Sequence, residues 1–227
     1  MGRKPCSHRY RGPVATDAAT GGHGPAGLRS GAVPERIGVL GGTFDPPHIG
    51  HLVMATTVRD ELGLDAVWLM VAGDPWQKSP HGDVSPAQDR LAMTAAAVRG
   101  VDGLEVSDIE VQREGPTYTV ETLEQLRVAR PEVEWYWILG ADALARLDTW
   151  HRYRELSGLC HLVVVDRPGA DLVVPDGVQV QVVEAPLLEV SSTELRRRVA
   201  DGRSLDFLVP TAAISEIDGR GLYAGRR

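Results

Sequence analysis

The stretch "GGTFDPPHIGHL", Gly41–Leu52, decides how this chain is read. It follows a short apolar run, Ile37–Leu40, of the kind that forms a strand. Glycines directly behind a strand let the backbone approach a ligand closely or take up positive φ. After two prolines, His48 and His51 stand three residues apart at the entry to a helical pattern, so both imidazoles fall on one side of its first turn. A helix start carries unpaired N–H groups and the positive end of the helix dipole, so an anion there meets backbone and imidazole donors together. The stretch suits a polyphosphate. A plain strand-to-helix turn, capped by Asp45 and carrying two surface histidines, fits the same letters, and this motif alone does not separate the two readings. Metal binding by the histidine pair lacks a third ligand at a usual spacing, so no side-chain metal site is expected.

Outward from this stretch, short β-rich runs alternate with helical segments, as in βαβ units with a parallel sheet. Strands are expected at Ile37–Leu40, Ala66–Ala72, Leu104–Ser107, Glu134–Leu139, His161–Asp166 and Val178–Val183. Several are continuous apolar runs, as strands covered on both faces should be. Helices are expected at Gly50–Leu62, Pro86–Arg99, Thr119–Ala129 and Thr193–Ala200. Ser85-Pro86 reads as an N-cap followed by proline at the first helical position, and Ser192 as the cap of the last of these helices. The fold class is α/β: a Rossmann-like, doubly wound parallel sheet in a single domain. In such a sheet ligands bind outside the carboxyl ends of the strands, and Gly41–Leu52 lies there.

Residues 1–35 are rich in Gly, Pro, Ala and Arg without an apolar period, and read as a disordered extension ahead of a catalytic domain at 36–227. The net charge of -7 over 227 residues argues against a broad basic surface for nucleic acid and favours an anionic small molecule held in a local pocket. Cys6 and Cys160 are far apart and lack metal-ligand spacing, which fits a reducing, cytoplasmic setting. No apolar run approaches the roughly 20 residues that span a bilayer, so no membrane partner is expected. A homo-oligomer is left open.

A second motif lies in "EVSSTELRRR", Glu189–Arg198. Ser191, Ser192 and Thr193 stand at a helix start, where hydroxyls and amides bind phosphate oxygens, and Arg196 or Arg197 one turn on can add charge to the same group. A capped, solvated basic helix fits that segment alone. The two motifs together resemble the nucleotidyltransferases that carry [T/H]-x-G-H near the N-terminus and I-S-S-T-x-x-R near the C-terminus. Between Arg36 and Tyr223 the chain is similar to the bacterial nicotinate-nucleotide adenylyltransferase family, through "VSPAQDRLAM", "VSDIEVQREGPTYTVETL", "ILGADALARLDTWHRY" and "FLVPTAAISEIDGRGLY". Val190 replaces the usual Ile, and "GDPWQKS", Gly73–Ser79, departs from the commoner P-P-H-K form while Lys78 keeps a basic position.

The resemblance implies adenylyl transfer from ATP to nicotinate mononucleotide, with Mg²⁺ accompanying ATP. It implies an ATP site formed by Gly41, Gly42, Thr43, Phe44, His48, Gly50, His51, Gly140, Asp142, Ser192, Thr193 and Arg196. His48, His51 and Arg196 would act on the phosphates, and Asp142 would lie toward the ribose. Thr43, Phe44, Lys78, Thr117, Tyr118, Thr119 and Trp150 would meet the mononucleotide, with the aromatic rings framing its pyridine and backbone amides of Thr117–Thr119 receiving its carboxylate. Trp150 and Tyr118 can equally be core aromatics, and Asp142 an N-cap for "ALARL". Asp108, Glu110, Arg113 and Glu114 read as a solvated charge run. A phosphopantetheine or other small-molecule nucleotidyltransferase, a class I aminoacyl-tRNA synthetase suggested by the literal "HIGH", and a non-catalytic nucleotide-binding protein are the alternatives.

Overall fold

The computed structural model describes residues 34–75, 84–166, 172–186 and 188–225. Most of the expected extension, and the loop that holds Lys78, lie outside the described residues. Pro34–Arg227 forms one compact unit.

Six parallel strands, β1 (Arg36–Gly42), β2 (Ala66–Val71), β3 (Leu104–Ser107), β4 (Glu134–Gly140), β5 (His161–Asp166) and β6 (Gln181–Glu184), form one sheet in the order β3-β2-β1-β4-β5-β6. The order reverses direction between β1 and β4, which pair in parallel from Arg36↔Glu134 to Leu40↔Ile138. A crevice opens at such a reversal because the connections leave toward opposite faces. The helices are α1 (Ile49–Leu62), α2 (Ala87–Val98), α3 (Thr119–Ala129), the short α4 (Ala141–Leu144) and α5 (Leu156–Leu159), α6 (Ser192–Ala200) and α7 (Thr211–Gly219).

Both faces of the sheet are apolar, and the period-2 alternation of side chains sorts them. Ile37 and Val39 of β1, Trp135, Trp137 and Leu139 of β4, and Leu162 and Val164 of β5 face Val120, Leu123 and Leu126 of α3. Leu40, Tyr136, Ile138, Val163 and Val165 face the other way, with Ala55 and Val58 of α1. Each large side chain buried in this way contributes about 1.5–3 kcal/mol against the entropy of ordering the chain. That is why these strands read as unbroken apolar runs. A third apolar cluster packs Met93 and Ala97 of α2, Leu195 of α6, Ala213 and Ile217 of α7, and Tyr223.

Five expected strands are found, with ends shifted by at most two residues. The sixth is shorter and later than Val178–Val183: Val178 and Val180 pack against the core, but pairing with β5 begins at Val163↔Gln181. The helix starts also move. His48, not Asp45, is the N-cap of α1, Pro86 rather than Ser85 caps α2, and Ser191 caps α6 by accepting a hydrogen bond from the Glu194 N–H at 3.2 Å. Asp142 is no cap either, since Gly140 precedes α4 and Asp142 lies in its exposed first turn. Helix α7 has no counterpart among the expected helices.

Arg90 of α2 ties the carboxyl ends of the central strands together. It is 1% exposed. Its Nε donates to Ser85 O at 2.9 Å, Nη1 to Thr43 O at 2.9 Å and Ala72 O at 2.7 Å, and Nη2 to Gly73 O at 2.9 Å. Burial pulls its pKa below the ordinary arginine value, and the charge of Asp45 opposes that. One guanidinium thus meets carbonyls that no ladder or helix bond reaches, and it fixes the loops after β1 and β2 relative to each other. Replacing it by Met leaves those acceptors buried without a donor. Arg90→Met should therefore lower the urea-unfolding free energy by about 3 kcal/mol or more, measured from the transition midpoint at constant m-value.

Candidate active site

The loop between β1 and α1 passes through Thr43, Phe44 and Asp45 before turning into the helix at His48. Gly41 and Gly42 were expected to supply positive φ or close approach to a ligand, yet both are β1 residues and neither has positive φ. Their smallness is required by the protein itself. A Cβ on Gly41 would lie 2.9 Å from the Trp137 ring, and one on Gly42 2.8 Å from the Phe44 ring. Phe44 carries the positive φ, 50°, and its side chain is buried, with the residue 1% exposed.

His48 and His51 are brought together, as their spacing implies. Their rings stack with centroids 3.7 Å apart and 26° between planes, and Phe44 meets His51 edge-on at 4.9 Å. The His48 N–H donates to His51 Nδ1 at 3.1 Å. That bond makes Nδ1 an acceptor, so neutral His51 carries its proton on Nε2. His48 is no surface histidine. It is 8% exposed, its Nδ1 has no hydrogen-bond partner, and burial lowers its pKa from 6.5 to about 4. The glycine between the pair has a packing reason, because a Cβ on Gly50 would press on His48 Nδ1 at 3.1 Å.

The second motif docks on this loop across almost the whole chain. Ser192 Oγ donates to Pro46 O at 2.9 Å, and Arg196 Nη1 donates to Asp45 O at 2.8 Å and lies 3.8 Å from Asp45 Oδ2. Of the two candidate arginines, Arg196 is the one placed here. Arg197 is exposed and pairs with Glu194. Thr193 is exposed in the first turn of α6. Asp45 itself is 2% exposed; its Oδ2 accepts from the Ser85 N–H at 3.1 Å and its Oδ1 from the Tyr223 hydroxyl at 2.7 Å. The two motifs therefore share one hydrogen-bonded platform, which a solvated basic helix and an independent turn would not.

Beside the platform, at the carboxyl ends of β1 and β4, lies a cleft of about 300 Å³. Its walls hold Gly41, Gly42, Thr43, Gly140, Thr117, Tyr118, Thr119 and Trp150 of the expected site. Tyr118 and Trp150 also pack against the core, so the two readings of these aromatics coexist. Phe44, His48, Gly50, His51, Asp142, Ser192, Thr193 and Arg196 are not in its lining, and Lys78 lies outside the described residues. The Thr117 N–H is engaged with Asp74 O at 3.3 Å, which leaves the start of α3, beginning at Thr119, to offer amides toward the cleft.

Among the cleft residues that escaped sequence reading, Trp137, Arg146, His151 and Glu110 carry polar or aromatic groups. The His151 ring lies 4.6 Å from that of Tyr118. Glu110 corrects an expectation outright. It is 6% exposed, not solvated; its carboxylate accepts from Thr122 Oγ1 at 2.7 Å, and burial raises its pKa. Its carbonyl lies so close to Gly73 that a Cβ there would stand 2.2 Å away. Arg113 beside it donates to Thr122 Oγ1 and Gln125 Oε1. The hidden signal was the spacing of Glu110 and Thr122, which only the turn of the 108–116 loop brings together. Among the described residues no three His, Cys, Asp or Glu side chains converge as a metal site, and no helix is long and apolar enough to cross a membrane.

Residues 39–198 match the cytidylyltransferase-like family. A protein of Saccharopolyspora erythraea named "Probable nicotinate-nucleotide adenylyltransferase" is 47% identical over 193 residues, covering 84% of this chain and 90% of that one. This chain belongs to the nicotinate-nucleotide adenylyltransferase family. A second member, from Streptomyces coelicolor and named in the same words, is 47% identical over 189 residues, covering 82% of this chain and all of its own length (100%). The fold is shared with a Plasmodium falciparum nicotinic acid mononucleotide adenylyltransferase solved in complex with NaAD, at 17% identity and a TM-score of 0.69, over 83% of this chain and 97% of that one.

For this adenylyltransferase-family chain the buried His48 sets a pH dependence. Below pH 6.5 the unfolded chain protonates His48 while the folded chain resists protonation until about pH 4. The unfolded state thus binds more protons over that window, and stability falls as pH falls through it. In His48→Gln the loss of stability between pH 6.5 and 4 should be shallower, by up to ~1.4 kcal/mol per pH unit, as read from denaturant midpoints across that range.

Proposed function

We propose that the chain transfers the adenylyl group of ATP to nicotinate mononucleotide, giving deamido-NAD and pyrophosphate, a step of NAD biosynthesis. The observation that carries this reading is the docking of Ser192 and Arg196 on the Asp45–Pro46 backbone, which sets the start of α6 beside the stacked histidines and next to an aromatic-walled cleft.

In this reaction an oxygen of the mononucleotide phosphate attacks the α-phosphorus of ATP, and the bond to the bridging oxygen breaks in line as pyrophosphate leaves. The nucleophile arrives ionised, so no side chain has to remove a proton. Catalysis then comes from positioning and from charge stabilisation on phosphoryl oxygens. His51, whose neutral form carries its proton on Nε2, donates from that atom to the phosphates. His48 adds a second imidazole, and Arg196 with the Thr193 hydroxyl and the amides of Ser192 and Thr193 receives the β and γ phosphates, the Ser192 hydroxyl being committed to Pro46 O. Magnesium belongs to the substrate, MgATP, with its ligands drawn from phosphate oxygens and water.

The cleft is the pyridine end. Trp150 and Tyr118 offer aromatic faces to the ring, and the amides at the start of α3 can receive its carboxylate. Gly140 and Asp142, at the end of β4 and in α4, are assigned to the adenosine side. Lys78 is kept as a candidate contact to the mononucleotide on sequence grounds alone, and residues 1–35 as an extension outside the catalytic domain.

Pyrophosphate release with MgATP should be seen with nicotinate mononucleotide, and far more weakly with nicotinamide mononucleotide or phosphopantetheine. Release with none of the three would favour a non-catalytic nucleotide-binding protein, and release with phosphopantetheine alone would transfer the reading to that class. His51→Ala should lower kcat by about 10²–10³-fold with little change in circular dichroism; unchanged turnover would sink the phosphate role. Trp150→Ala should raise KM for the mononucleotide more than KM for ATP, whereas equal effects would make it a packing residue only.

A further inference from the structure

Tyr223 lies near the end of the described chain, yet its hydroxyl ends at the centre of the phosphate platform. The residue is 3% exposed, and its ring is held in the third apolar cluster. Its backbone takes φ 65°, a conformation that residues with side chains rarely adopt. The hydroxyl donates to Asp45 Oδ1 at 2.7 Å and touches Met93 Sδ at 3.6 Å.

A buried carboxylate needs its charge met by hydrogen bonds or cations. For Asp45 the Tyr223 hydroxyl serves Oδ1 and the Ser85 N–H serves Oδ2. Arg196 stands at 3.8 Å from Oδ2, beyond direct hydrogen-bond distance, and donates to the main-chain oxygen of Asp45 instead. Arg90, the other guanidinium whose charge acts on this region, is engaged with four carbonyls. Were Oδ1 to lose the hydroxyl, the cation among the described residues placed to move onto the carboxylate is Arg196, whose side chain is 24% exposed.

We infer that the Tyr223 hydroxyl is a positioning residue for the triphosphate site: it satisfies the Asp45 carboxylate and so leaves the Arg196 guanidinium available to ATP. The inference rests on the adenylyl-transfer reading for its kinetic consequence but not for its binding consequence. Without the hydroxyl, Arg196 is drawn onto Asp45 and the triphosphate loses a cation, while the pyridine cleft is untouched.

The test is Tyr223→Phe in the full chain, which keeps the ring in its apolar cluster. MgATP affinity by titration calorimetry and kcat/KM for ATP should each fall about tenfold, equivalent to ~1.4 kcal/mol, while KM for nicotinate mononucleotide stays within about twofold. Met93→Leu loosens the same cluster without removing the hydroxyl, and should lower the melting temperature while keeping ATP affinity. An equal loss of ATP affinity in Met93→Leu, or none in Tyr223→Phe, overturns the inference. The double variant Asp45→Asn with Tyr223→Phe should bind MgATP no more weakly than Asp45→Asn alone, because the hydroxyl acts through that carboxylate; additive losses overturn it. If Tyr223→Phe shows no cooperative melt, Asp45→Asn decides: an amide does not draw Arg196 away, so a tenfold loss of MgATP affinity in that variant counts against the inference and retained affinity supports it. A parent chain that binds MgATP but releases no pyrophosphate defeats the proposed reaction, and the calorimetric comparison still decides the role of Tyr223.

Discussion

The site depends on one buried cation that never needs to touch a substrate. Arg90 holds the carbonyls of Thr43, Ala72, Gly73 and Ser85 in a single fork. Two of those residues, Thr43 and Ala72, wall the cleft, and Ser85 also holds Asp45. A parallel sheet ends in carbonyls that point past the last paired residue, and these must be satisfied where the loops turn away. Here the satisfaction comes from the guanidinium of a helix, so α2, Thr43 after β1 and Ala72–Gly73 after β2 are joined in one collar. An arginine suits that place because its five donors radiate in a plane, which an ammonium cannot reproduce.

On that collar the two phosphate motifs divide the work by chemistry. The hydrogen bond from the His48 N–H fixes the tautomer of neutral His51, and the burial of His48 keeps that ring neutral over the range in which an exposed histidine would titrate. The guanidinium of Arg196, anchored on the Asp45 carbonyl, is a permanent charge held on the same loop. Hydrogen-bond direction and charge are thus contributed by different elements, each held by backbone contacts of the other. Such preorganisation suits a reaction in which nothing but phosphate geometry and charge has to be managed.

Much of this was legible in the letters. Apolar runs identified the parallel strands, and the His48–His51 spacing implied imidazoles on one helical turn. What stayed hidden follows from what a sequence cannot express. Glu110 sits among charged neighbours and so reads as surface; its burial comes from a loop that folds its carboxylate onto Thr122. The glycines at 41 and 42 line the cleft without positive φ, and they have a packing reason that the letters do not show, because the rings of Trp137 and Phe44 leave no room for a Cβ. Asp45, a good cap by type, is not the cap of α1 because its carboxylate is taken up by the Ser85 N–H and the Tyr223 hydroxyl. Helix α7 has a short apolar face and no side-chain cap, and its place is set by packing against α2.

The bond between Asp45 and Tyr223 joins residues 178 positions apart. During synthesis the strand and helix that carry the histidines emerge first, while α6, α7 and the final turn emerge last. Contacts of such long sequence separation form late, after the loops between them have closed. A growing chain, or one cut short by a premature stop, therefore carries the imidazoles without the elements that complete the anion site.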